Sequence, residues 1–108
     1  MQDGDEVFHA LADPSRRHLL DRLRERNGQS LSELCAGLDM TRQAVSKHLG
    51  VLERAHLVVV FRDGRERRHY LNPAPIAHVA ARWIATYERA RVSALADLKR
   101  RLEGESDG

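Results

Sequence analysis

Beyond Pro75 the apolar residues Ile76, Val79, Ala80, Trp83, Ile84, Tyr87, Ala94, Leu95, Leu98 and Leu102 recur at helical spacing, with Arg91 between Tyr87 and Ala94. One stripe kept up for that distance predicts a single amphipathic helix from about 75 to 103. Such a helix is roughly 43 Å long at about 1.5 Å per residue. A compact domain of this chain length is only roughly 34 Å across. The helix overshoots its own domain, so part of the stripe must be buried against something else. A twofold-related copy is the simplest partner.

The rest of the composition agrees with that need. A chain of 108 residues, 42% hydrophobic and 31% charged, supports one core and one domain spanning 1–108. A core of that size buries only on the order of 60–65% of the unfolded surface, so association adds useful burial. The longest uncharged apolar run, Leu57–Phe61, falls far short of the roughly 18 residues a membrane span needs. No basic-then-apolar leader opens the chain. Cys35 is the single cysteine, which excludes an intrachain disulfide framework or a four-cysteine zinc cage. A cytoplasmic protein without membrane contact is expected.

Local signals divide the remainder into short helices and one hairpin. Val7, Phe8, Leu11 and Ala12 lie at helical spacing over 6–12, before Asp13-Pro14 breaks the run. Asp13 reads as an N-cap with Pro14 at the first helical position, opening a helix to about Glu25 with Leu19, Leu20 and Leu23 buried. Asn27-Gly28 reads as its stop. Ser30 and Glu33 form a capping box for a helix from Leu31 to Ala36, which Gly37 ends. Thr41 caps a fourth helix, roughly Arg42–Ala55, with Ala44, Val45, Leu49 and Leu52 toward the core. Its outer side presents Arg42, Gln43, Ser46, Lys47 and Gly50. Leu57–Arg62 and Glu66–Leu71 read as two strands joined at Asp63-Gly64. The expected fold is mostly α with a small β-hairpin: a helix-turn-helix over 31–55 and a basic wing over 57–72.

Charge is concentrated where those motifs fall. Between residues 41 and 72 stand Arg42, Lys47, Arg54, Arg62, Arg65, Arg67 and Arg68 against Glu53, Asp63 and Glu66, whereas residues 1–40 are net acidic. A local cationic patch favours a polyanion, because each phosphate neutralised releases condensed counterions. Four arginines around one hairpin tip are hard to explain by folding, since exposed ion pairs contribute little. Thr41 would cap the fourth helix and meet a phosphate there. Arg42, Gln43, Ser46 and Lys47 would project from its first two turns to base edges in the major groove, and His48 would orient the helix or touch a phosphate. Arg62, Arg65, Arg67 and Arg68 would lie along the adjacent minor groove or backbone. A dimer presenting two such helices about 34 Å apart would prefer an inverted-repeat operator in double-stranded DNA.

Four stretches carry a family resemblance: Ala10-Leu11-Ala12-Asp13-Pro14-Ser15-Arg16, Ser32-Glu33-Leu34-Cys35, Ala44-Val45-Ser46-Lys47-His48-Leu49-Gly50-Val51-Leu52, and Ala55-His56-Leu57-Val58. Over about Phe8 to Asn72 the chain resembles the arsenic-repressor-like (ArsR/SmtB) regulators. The resemblance implies a homodimeric winged helix-turn-helix repressor whose first and last helices form the dimer interface, here through Phe8, Leu11, Ile76, Val79, Trp83 and Tyr87. His56 departs from the pattern, which more often has Gly before Leu-Val.

The family's sensing sites do not carry over. A thiolate site needs a Cys-x-Cys pair, and Gly37 stands in the second position. A second site needs Asp-x-His and a later His in the last helix, which here offers His78 with Ile76 in place of the acid. Neither gives a four-ligand metal set, so no metal and no cofactor are expected, and the effector stays open. An unorthodox intersubunit metal site using His9, His18 or His78, or a small-molecule pocket beside Trp83 and Tyr87, is an alternative to plain dimer packing. Cys35 reads as a small packing residue rather than a redox thiol. Arg16 reads equally as helix-start structure or phosphate contact. A protein-interaction adaptor is the competing binding function. An enzyme fails on inventory, since Cys35 has no neighbouring base and no Ser/His/acid grouping sits near a glycine-rich strand turn.

Overall fold

The computed structural model describes residues 2–107, and side chains from 4 to 104. Seven elements follow in order: α1 (Gln2–Leu11), α2 (Pro14–Glu25), α3 (Leu31–Cys35), α4 (Arg42–Arg54), β1 (Val58–Asp63), β2 (Glu66–Leu71) and α5 (Ala74–Asp107). The chain divides into two compact units, Met1–Ala77 and His78–Gly108. The first holds the winged helix-turn-helix. The second consists of the body of α5.

Helices α2, α3 and α4 each start where a short polar side chain can satisfy the orphan amides of the opening turn. Asp13 Oδ1 accepts from Ser15 N at 2.7 Å and Arg16 N at 3.3 Å. Ser30 and Glu33 close a full capping box: Glu33 N donates to Ser30 Oγ, and Ser30 N donates to Glu33 Oε1. Thr41 Oγ1 accepts from Ala44 N at 3.1 Å. The ends differ modestly from expectation. Helix α1 begins at Gln2 rather than near residue 6, and α5 runs from Ala74 to Asp107 rather than 75–103.

The core of the first unit sits where α2, α3 and α4 meet the base of the hairpin. Leu19, Leu23, Leu34, Val45, Leu52 and Leu57 are its fully buried centre. Val7 and Ala10 turn inward from α1, while Phe8 and Ala12 point out. Leu11 and Ile76, expected at a dimer interface, pack partly against this core.

Helix α4 ends in a reversal that the sequence disguised. Leu57 N donates to Leu52 O at 2.9 Å and His56 N to Glu53 O at 3.0 Å. This is the paired-bond C-terminal motif whose first residue past the cap needs a left-handed backbone. His56 supplies it at φ 62°, the only non-glycine residue with positive φ among those described.

The hairpin is antiparallel, with Val58 opposite Leu71 and Asp63 opposite Glu66. The turn is therefore Gly64-Arg65, one residue later than the Asp63-Gly64 reading. Gly64 takes φ +65° at the first turn position, and Arg65 stays outside the positive-φ region. That combination suits a type II′ turn, which asks for Gly first. The Asn27-Gly28 stretch does more than stop α2. Gly28 N donates to His69 O, and His69 N donates to Gln29 O, so Gln29 forms a single bridge with β2. Gly28 also lets Tyr70 close over it: a Cβ there would lie 3.1 Å from the phenol oxygen. Among the described residues no helix is long and apolar enough to cross a membrane.

Candidate nucleic-acid interface

Because α4 buries Val45, Leu49 and Leu52, helical periodicity fixes what its other side presents. Thr41, Arg42, Gln43, Ser46 and Lys47 are all exposed. Arg42, Gln43, Ser46 and Lys47 line a surface groove continuous with Leu31, Gly50 and Arg54. A second groove joins the starts of α3 and α4 to the hairpin tip, lined by Ser30, Leu31, Ser32, Arg42, Arg65, Glu66 and Arg67. Arg42 belongs to both and donates to Ser32 Oγ at 3.0 Å. The outer face of α4 and the wing tip therefore form one cationic surface.

The four wing arginines have different fates. Arg62 and Arg65 are exposed, and neither meets a carboxylate among the described residues. Arg67 reaches Glu53 of α4 at 3.2 Å, tying the wing to that helix. Arg68 is half-buried and occupied: it pairs with Asp63 at 3.2 Å, Glu66 at 3.0 Å and Glu33 at 3.8 Å, and donates to Gly28 O. The expectation that folding gives no reason for these arginines is corrected for Arg68. It staples both strands to the α2–α3 loop. Arg62 stands directly opposite Arg67, a cross-strand like-charge pair that disfavours the hairpin by itself.

His48 is half-buried, with Nδ1 3.3 Å from Arg16 Nη1. Arg16 is 9% exposed. Its Nε donates to Ala10 O at 2.8 Å and Nη2 to His9 O at 2.9 Å. It thereby takes up carbonyls at the end of α1, joined there by Arg17 on Leu11 O. Of the two roles open for Arg16, the structural one describes these contacts. Arg22 does the same for α3, donating to the carbonyls of Glu33, Leu34 and Ala36. The sequence offers no sign of the Arg22 contacts, and Arg54 enters there only as part of the cationic stretch, without a place on the outer face of α4. That place was signalled by its spacing, four residues after Gly50 and seven after Lys47.

Two carboxyls carry shifted acidities. Burial pushes Asp13 up, but the amides of Ser15 and Arg16, with the charged Arg16 guanidinium nearby, more than offset it, so its pKa lies below the ordinary value. Glu33 is lowered chiefly by the Ser30 amide, then by Arg26, whose guanidinium lies 2.9 Å away. Cys35 is half-buried against the core. Among the described residues no three His, Cys, Asp or Glu side chains gather as a metal site.

The fold and this surface define a winged helix-turn-helix protein of the DNA-binding class. Residues 11–60 match a family model described as a helix-turn-helix domain. Over 86 residues, 74% of this chain and 94% of the relative, the sequence is 43% identical to the uncharacterised HTH-type transcriptional regulator YuzN of Bacillus subtilis. An ArsR-like transcriptional regulator from Rhodococcus sp. RHA1 superposes with a TM-score of 0.76 at 31% identity, over 90% of this chain and 92% of that one. The homodimeric winged helix-turn-helix DNA-binding domain Mb0332 from Mycobacterium bovis shares the fold, with a TM-score of 0.64 at 20% identity over 81% of each chain. The chain belongs to the ArsR family of HTH-type transcriptional regulators.

Proposed function

We propose that two copies of this chain bind an inverted-repeat operator in double-stranded DNA and repress transcription from it, in the cytoplasm and without catalysing a reaction. The observation that carries this reading is the single face shared by the outer side of α4 and the wing tip, where Arg42, Lys47 and Arg65 stand exposed, with Arg62 exposed opposite Arg67 on the wing. Cations held apart from internal carboxylates are available to phosphates, and the Arg62–Arg67 opposition is relieved by a polyanion laid along the wing. Thr41, Arg42, Gln43, Ser46 and Lys47 are the readers, with Gln43 and Ser46 offering hydrogen bonds to base edges. Arg62, Arg65 and Arg67 follow the backbone or minor groove beside them. His48 and Arg68 act from within the fold, by holding α4 and the wing in place.

The dimer reading rests on α5. At 34 residues it is about 51 Å long at about 1.5 Å per residue. It exposes Trp83, Ile84, Tyr87, Leu95, Leu98 and Leu102. A contiguous apolar stripe of that extent marks an association surface, which Val79 continues; Phe8, exposed on α1, is proposed as a separate contributor to the dimer interface. Duplex affinity measured against salt tests the DNA reading. A steep linear fall of log K with log salt supports it, and a flat response with tight binding to a protein partner would favour an adaptor.

A further inference from the structure

Gly50 sits in the middle of α4 for no reason internal to the fold. Glycine is among the least favourable residues in a helix interior. Its backbone φ is not positive. A Cβ built on it would meet only Arg54 Nη1, at 3.6 Å, an ordinary contact with the mobile end of a side chain. The position is nonetheless central. Gln43, Lys47, Gly50 and Arg54 follow one another four, three and four residues apart, so they form one ridge along the outer face of α4. All four line the same groove, and the glycine is the notch in that ridge. Arg54 closes its far side. It is exposed, and its guanidinium makes no ion pair or hydrogen bond among the described residues, while the neighbouring Glu53 is engaged by Arg67.

We propose that the Gly50 notch admits a sugar-phosphate strand of the duplex and that Arg54 contacts its phosphate, extending the DNA surface to the last turns of α4. This inference rests on the DNA-binding reading above. A missing Cβ allows close backbone approach, and a guanidinium beside it suits a phosphate geometrically. The absent side chain is then matched to a partner outside the chain.

The test compares the full-length protein with G50A, G50L and R54Q on a selected operator duplex and on random duplex. Melting temperature is followed alongside. G50A should melt higher than the parent, because the site has room and alanine favours the helix. G50L should fold as well as the parent yet bind both duplexes at least about tenfold more weakly, as expected when an approaching backbone is blocked. R54Q should weaken both duplexes alike and make the salt slope shallower by about 0.9, the value for one phosphate contact. A G50A protein that melts lower overturns the inference, as does a G50L protein that binds like the parent. An R54Q salt slope equal to the parent's also overturns it. Each of these leaves DNA binding by the parent intact. A parent that shows no salt-dependent duplex binding overturns the functional reading and this inference together.

Discussion

The Arg16 guanidinium lies between two helices it does not belong to: Nη1 is 3.3 Å from His48 Nδ1 on α4, and Nη2 donates to His9 O at the end of α1. With arginine as the obligate donor, His48 accepts through Nδ1. One buried cation thus connects the α1–α2 junction with the helix that presents the groove residues.

Replacing Arg16 should therefore be costly. Arg16→Ala leaves the Ala10 carbonyl without its donor and the His9 carbonyl with only the longer bond from Ala12 N, and hydrogen bonds to a charged group are each worth about 1.5–3 kcal/mol. We expect urea unfolding to show a loss of about 2–3 kcal/mol. His48→Ala should lose about 0.5–1 kcal/mol, since only one partly buried contact goes. An Arg16→Ala protein as stable as the parent would mean that water replaces the guanidinium at no cost.

His56 offers the opposite sign. It holds a left-handed backbone at φ 62°, a conformation that costs a side-chain-bearing residue roughly 1–2 kcal/mol. Glycine removes that strain but loses more chain entropy on folding. His56→Gly is expected to gain about 0.5–1 kcal/mol. The bond from Asn72 Nδ2 to the residue-56 carbonyl uses backbone oxygen and should survive. Thermal unfolding reads the difference, and a lower melting temperature would contradict it.

The wing arginines should separate into two behaviours. Arg65→Ala with Arg67→Ala should weaken every duplex and flatten the salt slope by roughly one to two, at about 0.9 per phosphate, with little change in stability. Arg68→Ala should instead lower stability, because it releases Asp63, Glu66 and Glu33 together with the Gly28 carbonyl. Equal effects of the two changes on salt slope would erase this distinction.

Acid should weaken the helix starts. Asp13 and Glu33 have folded pKa values below their ordinary values of 3.8 and 4.5. A carboxyl depressed in the folded state contributes stability above its unfolded pKa and loses that contribution as pH falls through the lower folded value. A double variant, Asp13→Ser with Glu33→Gln, keeps capping groups but not the titration. Its melting temperature should fall less than the parent's below about pH 4. Parallel acid limbs would assign the loss to other groups.

Trp83 is 58% exposed and meets Tyr87 edge to face, with ring centroids 5.8 Å apart. Such aromatic surface contributes heavily to association. Trp83→Ala should shift sedimentation at micromolar concentration toward monomer while leaving helix content near the parent's. A parent that sediments as a monomer, or a variant with the parent's association, would remove the proposed dimer role of this face.

Helix starts and helix faces follow from residue spacing alone. Asp13, Ser30 and Thr41 were legible because a cap joins a side chain to an amide two or three residues on. The buried stripes of α2 and α4 follow from the 3.6-residue period. The outer face of α4, with Arg42, Gln43, Ser46 and Lys47, came from the same rule. The tertiary structure decided which cations were available to a partner. Arg16, Arg22 and Arg68 find carbonyls and carboxylates up to 40 residues away in sequence, and no local pattern encodes which long side chain will reach which group. The bridge between Gln29 and His69 was likewise invisible, because it depends on how the hairpin folds back over the α2–α3 loop. Local bonds are written in spacing; long arginines choose among partners only after packing has brought them near.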